Sequence, residues 1–294
     1  MDRTVTTTLG NQEQAPKPAT ERKRRRLKVS LDFAIGLAFL IVVLVSAIAA
    51  PLIAPHDPVR QNYGALLQPP SSEHWFGTDH LGRDVASRVI HGSRIALTVG
   101  VAIVLIQMII GVTLGLLSGY FRGFVDNILN AVTDVMLAIP TIVLVITVAG
   151  FLGSGVRNII IALGVVGWRA FARIVRADTL AARERQYVDA ALASGASNPR
   201  VMLRHILPNV AGSIIVYGSL ATAMAILWAA ALSFLGFGAQ PPTPDWGYMV
   251  AEGRNYMRQA WWMTAFPGGA IMLTVLAFNL VGDGLRDLLD PNIK

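Results

Sequence analysis

Five stretches of this chain run for about 20 residues with no charged side chain, the length at which a helix crosses a hydrocarbon core of about 30 Å. They are Phe33 to Ala50, Ile95 to Phe121, Val135 to Val156, Val210 to Phe237 and Trp261 to Val281. A sixth, Ile159 to Val175, carries Arg169 and Arg173 near its end. It is also predicted to cross, because long arginine side chains there reach headgroups or a buried partner. With 53% hydrophobic and 15% charged residues, the 294-residue chain has too little polar surface for an ordinary soluble domain.

Assigning the loops alternately to two sides places Arg60, Arg83, Arg88, Arg94, Arg157, Arg254 and Arg258 on one side, seven of 25 basic residues. The rest share a side with the tail that contains Arg22 to Arg26 and Lys28, which makes that side cytoplasmic. The expected organisation is a disordered basic tail at 1–30, a first transmembrane helix at 31–54 and an extracytoplasmic loop at 55–92. A five-helix core follows at 93–285, with a cytoplasmic hairpin at 180–208, and then a cytoplasmic C-terminus at 286–294. The fold class is all-α with six transmembrane helices and both termini inside. A rival reading of Phe33 to Ala49 is a cleaved signal peptide, but the apolar run continues through Leu52 and Ile53, which favours an uncleaved anchor.

Several chemistries are excluded. There is no cysteine, so disulfides, thiolate metal sites and cysteine nucleophiles are ruled out. The net charge of +7 sits largely in the tail without interleaved aromatics, which argues against nucleic acid. His74, His80 and His91 lie near Asp79 and Asp84 in sequence, yet no pair has helical ligand spacing beside a third ligand, so no metal site is expected. No catalytic residue and no cofactor site is expected either. No Gly-rich phosphate loop occurs, so any ATP that drives the protein, with its Mg, must be held by another chain. A membrane-embedded hydrolase lacks a histidine within the spans to act as base.

Asp134 is expected to form a buried ion pair with Arg169 or Arg173, because a lone charge in a bilayer core is costly. In an ion-coupled secondary transporter, the different class to be weighed, these three would be the relay, and dependence on a proton gradient rather than ATP would identify it.

The most informative segment is Tyr187-Val188-Asp189-Ala190-Ala191-Leu192-Ala193-Ser194-Gly195, followed by Ile206-Leu207-Pro208. It reads as a short helix stopped at Gly195 and a second one capped and begun by Asn198-Pro199. Ala190, Ala191 and Ser194 are expected near one face, open to close approach by a partner. The segment resembles the E-A-A-x3-G-x9-I-x-L-P motif of permease subunits in binding-protein-dependent ABC importers. Asp189 replaces the motif's Glu and His205 its Ile, while Ala190, Ala191, Gly195, Leu207 and Pro208 keep their spacing. Three further stretches, Trp75 to Asp84, Leu232 to Pro242 and Gly282 to Pro291, are similar to the C-type permease of dipeptide, oligopeptide and nickel importers.

The resemblance covers the chain from about Phe33 onward. It implies a type I importer fold and a second, homologous permease as partner. It also implies two ATPase subunits docking on the 180–208 hairpin and an extracytoplasmic binding protein. Peptides are the implied cargo, with nickel chelates, glutathione-like peptides or oligosaccharides as alternatives.

Overall fold

The computed structural model describes residues 30 to 289. Most of the expected basic tail and the last residues of the C-terminal segment lie outside it. All regular structure among the described residues is helical, apart from one isolated bridge between Thr78 and Asp84. Backbone groups in a bilayer have no water to bond to, and a helix satisfies them within the segment.

Helix α1 (Leu31–Ile53) begins at Ser30, whose side chain accepts the Phe33 N–H. It buries only Gly36, Val43, Ala47 and Ala50, while Ile41, Val45 and Ile48 on its other faces stay exposed. A helix apolar all round that buries one stripe presents the remainder to lipid. Helix α2 (Val85–Phe121) is the central element. It starts at Val85, within the stretch 55–92 expected as an extracytoplasmic loop.

The expected third span is not continuous. Helix α3 (Gly123–Ala138) and helix α4 (Thr141–Leu152) meet at 89°. The cause is Pro140, which forces Ile139 into an extended conformation (φ −94°, ψ 128°) and ends α3 there. Helices α5 (Val156–Gly167) and α6 (Arg169–Arg183) together form one segment long and apolar enough to cross. The weak sixth run lies within it.

After the short helix α7 (Gln186–Ala193), helix α8 (Asn198–Arg200) leads through a wider π turn, Val201–Ile206, into helix α9 (Leu207–Phe234). The widened turn has a local reason. Pro208 has no N–H to give, and the Leu207 N–H reaches back five residues to Met202 O. Helix α10 (Trp246–Arg254) lies in the segment that joins α9 to helix α11 (Trp262–Leu289), which closes the bundle against α1 and α9. Among the described residues, five segments are long and apolar enough to span a membrane, or six if the bent α3–α4 pair counts as one span.

The most extensive helix pairing joins α2 to α6. A Cβ on Gly111 would come within 2.5 Å of Trp168 O, one on Gly115 within 2.6 Å of Ala172 O, and one on Gly119 within 2.8 Å of Arg176 O. The small-xxx-small spacing lets the two backbones meet, and dispersion and weak polar contacts replace the hydrophobic drive that lipid cannot supply. Gly115→Val is expected to cost about 3 kcal/mol, the upper end for overpacking. Gly150→Ala, with nothing within 4 Å of the added carbon, should cost little. Thermal unfolding of the two variants in detergent checks the contrast.

Candidate functional site: the hairpin and the cavity

Helix α6 leads through a two-residue turn, Glu184 and Arg185, into α7. At the end of α7, Gly195 has φ +81°, the Ala196 N–H bonds Ala191 O (3.1 Å) and the Gly195 N–H bonds Leu192 O (2.9 Å). This is a Schellman stop, which requires a left-handed residue at that point. The next helix is preceded by Ser197 as cap, one residue earlier than the sequence suggested.

The hairpin is anchored from below by Val188, Val201 and Ile206, all fully buried. Tyr120, at the end of α2, donates its hydroxyl to Asn198 Oδ1 (2.8 Å), and the Arg183 guanidinium lies over the Tyr120 ring at 5.2 Å.

The predicted residues divide into two sets. Asp189, Ala190, Ser194, Gly195 and Pro208 are exposed. Ala191 and Leu207 are half-buried and pack on the core. Ala191 follows Val188 by three positions and shares its inward face, so the expectation that Ala190 and Ala191 present one outward surface is corrected. The exposed surface of α7 is small and lightly charged, and no ion pair within the described residues engages Asp189.

The expected ion pair is found with Arg173 rather than Arg169, at the surface of the chain rather than inside it. Arg173 and Asp134 approach to 4.0 Å, but their side chains are 65% and 73% exposed. Arg169 is buried and does not pair with Asp134. Its guanidinium donates to Met136 O, in the last turn of α3, and to Thr141 Oγ1 (3.1 Å), the first residue of α4. It therefore bridges the two sides of the bend and satisfies a carbonyl that the broken helix leaves without a partner. The strong ion pair nearby is Arg176 with Asp126 (2.6 Å), supported by Asn130 (2.7 Å) and by the Ser118 hydroxyl.

Between α2, α4, α5, α6 and α9 lies a cavity of about 450 Å³. Its polar lining comprises Gln107, Thr141, Arg169, Arg173, Tyr217 and the edge of Trp228 among aliphatic side chains.

At the other end of α2, the Trp75 to Asp84 stretch forms a buried charge cluster. Arg83 donates to Asp79 Oδ2 (2.6 Å) and Glu252 Oε1 (3.1 Å), and Arg88 lies 3.5 Å from Glu252 and 3.7 Å from Asp79. Gly82, at φ +70°, has no alternative, since a Cβ there would meet Asn62 O at 1.9 Å. Sequence reasoning missed Glu252, because nothing in a run of α10 residues marks which carboxylate returns to a loop some 170 positions earlier.

Asp245 caps α10 by accepting the Tyr248 N–H (3.1 Å) and also accepts the Ser233 hydroxyl (3.0 Å). Burial pushes its carboxyl above the ordinary value of 3.8, against the lowering by these hydrogen bonds. A folded-state value raised above the unfolded one means stability is fully present below 3.8 and lost as pH rises through the folded value. At neutral pH the ionised form therefore costs stability. Asp245→Asn, which keeps a capping oxygen, is expected to unfold at or above the wild-type temperature at neutral pH. The margin should shrink as pH is lowered towards the ordinary carboxylate value, as read from unfolding temperatures across pH.

The bundle, the short-helix hairpin on one side and the cavity define a membrane permease of the ABC importer class. Residues 111–294 match the family described as the binding-protein-dependent transport system inner membrane component, and residues 24–70 match the N-terminal TM domain of oligopeptide transport permease C. The chain belongs to the binding-protein-dependent inner membrane component family.

It is 45% identical over 278 residues to the glutathione transport system permease protein of Pectobacterium atrosepticum, covering 94% of this chain and 92% of that one. It is 43% identical over 270 residues to the dipeptide transport system permease protein of Alkalihalophilus pseudofirmus, covering 92% and 89%. The di/tripeptide permease of Pseudomonas aeruginosa is 43% identical over 265 residues, with 88% of each chain covered. Among solved structures, an inward-facing MetNI methionine ABC transporter matches with a TM-score of 0.57 at 16% identity, over 69% of this chain and 96% of that chain. That likeness concerns the fold.

Proposed function

We propose that this chain lines one half of a pathway for di- and tripeptides, completed by a homologous second permease. Two ATPase subunits holding ATP and Mg dock on the α7–α8 hairpin, and an extracytoplasmic binding protein delivers the cargo. The chain itself is non-catalytic. The observation that carries the substrate reading is the 43–45% identity, over about nine-tenths of the chain, to permeases named for glutathione, dipeptide and di/tripeptide transport. Glutathione is itself a tripeptide, so it is the second cargo to test. Lipid covers the exposed apolar faces of α1 and α4.

Proteoliposomes holding the chain with its cognate subunits, and supplied with the binding protein, should take up labelled dipeptide or glutathione only with ATP inside the ATPase compartment. Uptake of a nickel chelate or oligosaccharide alone would overturn the peptide reading. Uptake driven by a proton gradient without ATP would overturn the importer reading.

Both termini are proposed to lie in the cytoplasm. The chain has no native cysteine, and Ser72, Thr243 and Ser197 are exposed. Ser72→Cys and Thr243→Cys are expected to react with an impermeant thiol reagent from outside, and Ser197→Cys only after the membrane is opened. Labelling of Ser197→Cys in intact cells would reverse the topology.

A further inference from the structure

We propose that His56, His74 and Asp84 form a binding site for a divalent first-row metal ion, zinc by preference, which clasps the base of the Pro55 to Asp84 loop. The Asp84 carboxylate is buried, its side chain only 1% exposed, and no lysine or arginine among the described residues comes within ion-pair distance of it. Its Oδ2 accepts both the Ser87 N–H and the Ser87 hydroxyl, each at 2.7 Å. Its Oδ1 faces two imidazole nitrogens, Nδ1 of His74 at 2.9 Å and Nδ1 of His56 at 3.7 Å. A buried anion needs a compensating positive charge, and this one is turned towards two of the commonest metal-ligating atoms.

The geometry suits an ion. The three donor atoms lie within 4.8 Å of one another. With Asp84 Oδ1 2.9 Å and 3.7 Å from the two nitrogens, a single point can sit within about 2.4 Å of all three, close to the 2.0–2.2 Å of zinc with imidazole and carboxylate. Two nitrogens and one oxygen fit zinc better than magnesium or calcium, which take oxygen.

The ligands are also oriented by a common neighbour. The Ser87 hydroxyl that donates to Asp84 accepts the His56 N–H at 2.9 Å, tying the segment after α1 to the first turn of α2. Such outer contacts fix ligand direction in metal sites. His56 is 39% exposed at its side chain, which leaves a direction open for entry and for a further ligand.

A second triad, Asp79, His80 and Glu252, has comparable spacing but a different charge balance. Arg83 and Arg88 already neutralise both its carboxylates and would repel a cation. His91 directs Nδ1 at Ser87 O and is used there. The sequence concealed the first triad because its third member, His56, lies just beyond the first span, and only the fold brings it beside His74 and Asp84.

The test uses the full, untagged chain in lipid nanodiscs, stripped with EDTA and titrated with zinc alone. Binding of one equivalent is expected, with a rise in unfolding temperature that EDTA reverses. His56→Ala should weaken binding at least about tenfold, and Ser87→Ala by about tenfold through lost orientation. His91→Ala should leave it unchanged. His56→Ala is the decisive variant, because its partly exposed ring makes no short hydrogen bond whose loss would unfold the loop. The proposal is overturned if there is no saturable one-to-one binding, or if His56→Ala binds zinc as the wild type does. It is equally overturned if the loop is stabilised only by acid and not by zinc, the behaviour of an imidazolium clasp.

Discussion

Ala190→Trp is expected to leave the chain folded, inserted and able to pair with its sister permease, while ATPase docking weakens at least about tenfold, equivalent to about 1.4 kcal/mol. Ala190 is exposed on α7, so the indole meets no atom of this chain's core. It does fill the space that a closely approaching partner would occupy. Gly195→Val should have the same functional result by another route. Nothing lies within 4 Å of an added carbon there, so the whole cost is conformational, about 1–2 kcal/mol for placing a side chain at φ +81°. That cost undoes the Schellman stop and redirects the chain towards α8. Substrate-stimulated ATP hydrolysis in the reconstituted complex decides the matter, and unchanged stimulation in both variants would remove the hairpin from energy coupling. Ala191→Trp is the less informative change, since Ala191 packs inward and its replacement would damage the core as well.

Glu252→Ala is expected to be among the most destabilising single changes, at about 3–5 kcal/mol, the range for removing one partner from a buried ionic network. The Arg83 and Arg88 side chains are each 2% exposed, and two acids balance them. Removing Glu252 leaves two buried guanidiniums against Asp79 alone. Glu252→Gln should have the same sign, because the shape survives but the charge does not. The contrast is Glu184→Ala, which breaks the Arg122–Glu184 contact where the side chains are 42% and 73% exposed and should cost less than about 1 kcal/mol. Unfolding temperatures of the three variants make the comparison, and equal shifts for Glu252→Ala and Glu184→Ala would refute the role given to the cluster.

The spans and the hairpin were legible because they rest on local signals. Charge-free length marks a crossing, and Gly195 marks a stop whatever the rest of the chain does. The break at Pro140 was equally local and was passed over, since hydropathy counts residues and ignores the extended conformation that proline imposes on Ile139. The repeat Gly111, Gly115 and Gly119 was likewise visible as a spacing, although which helix it receives was not. The least legible features were those made by return contacts. Nothing near Asp134 in sequence says that Arg169 will turn to the carbonyl of Met136, and nothing near position 252 or position 56 announces their partners in the loop.

The packing of α2 on α6 has a mechanical consequence. Helix α2 is about 55 Å long at 1.5 Å per residue, has no proline, and is held by backbone proximity to α6, whose end leads directly into the hairpin. Tyr120 grips the hairpin at one end of this strut, while Asp84 and Arg88 are set into the far loop at the other. A displacement of the hairpin would therefore be carried along one stiff helix to the loop at its far end, without a relay of side-chain rotations.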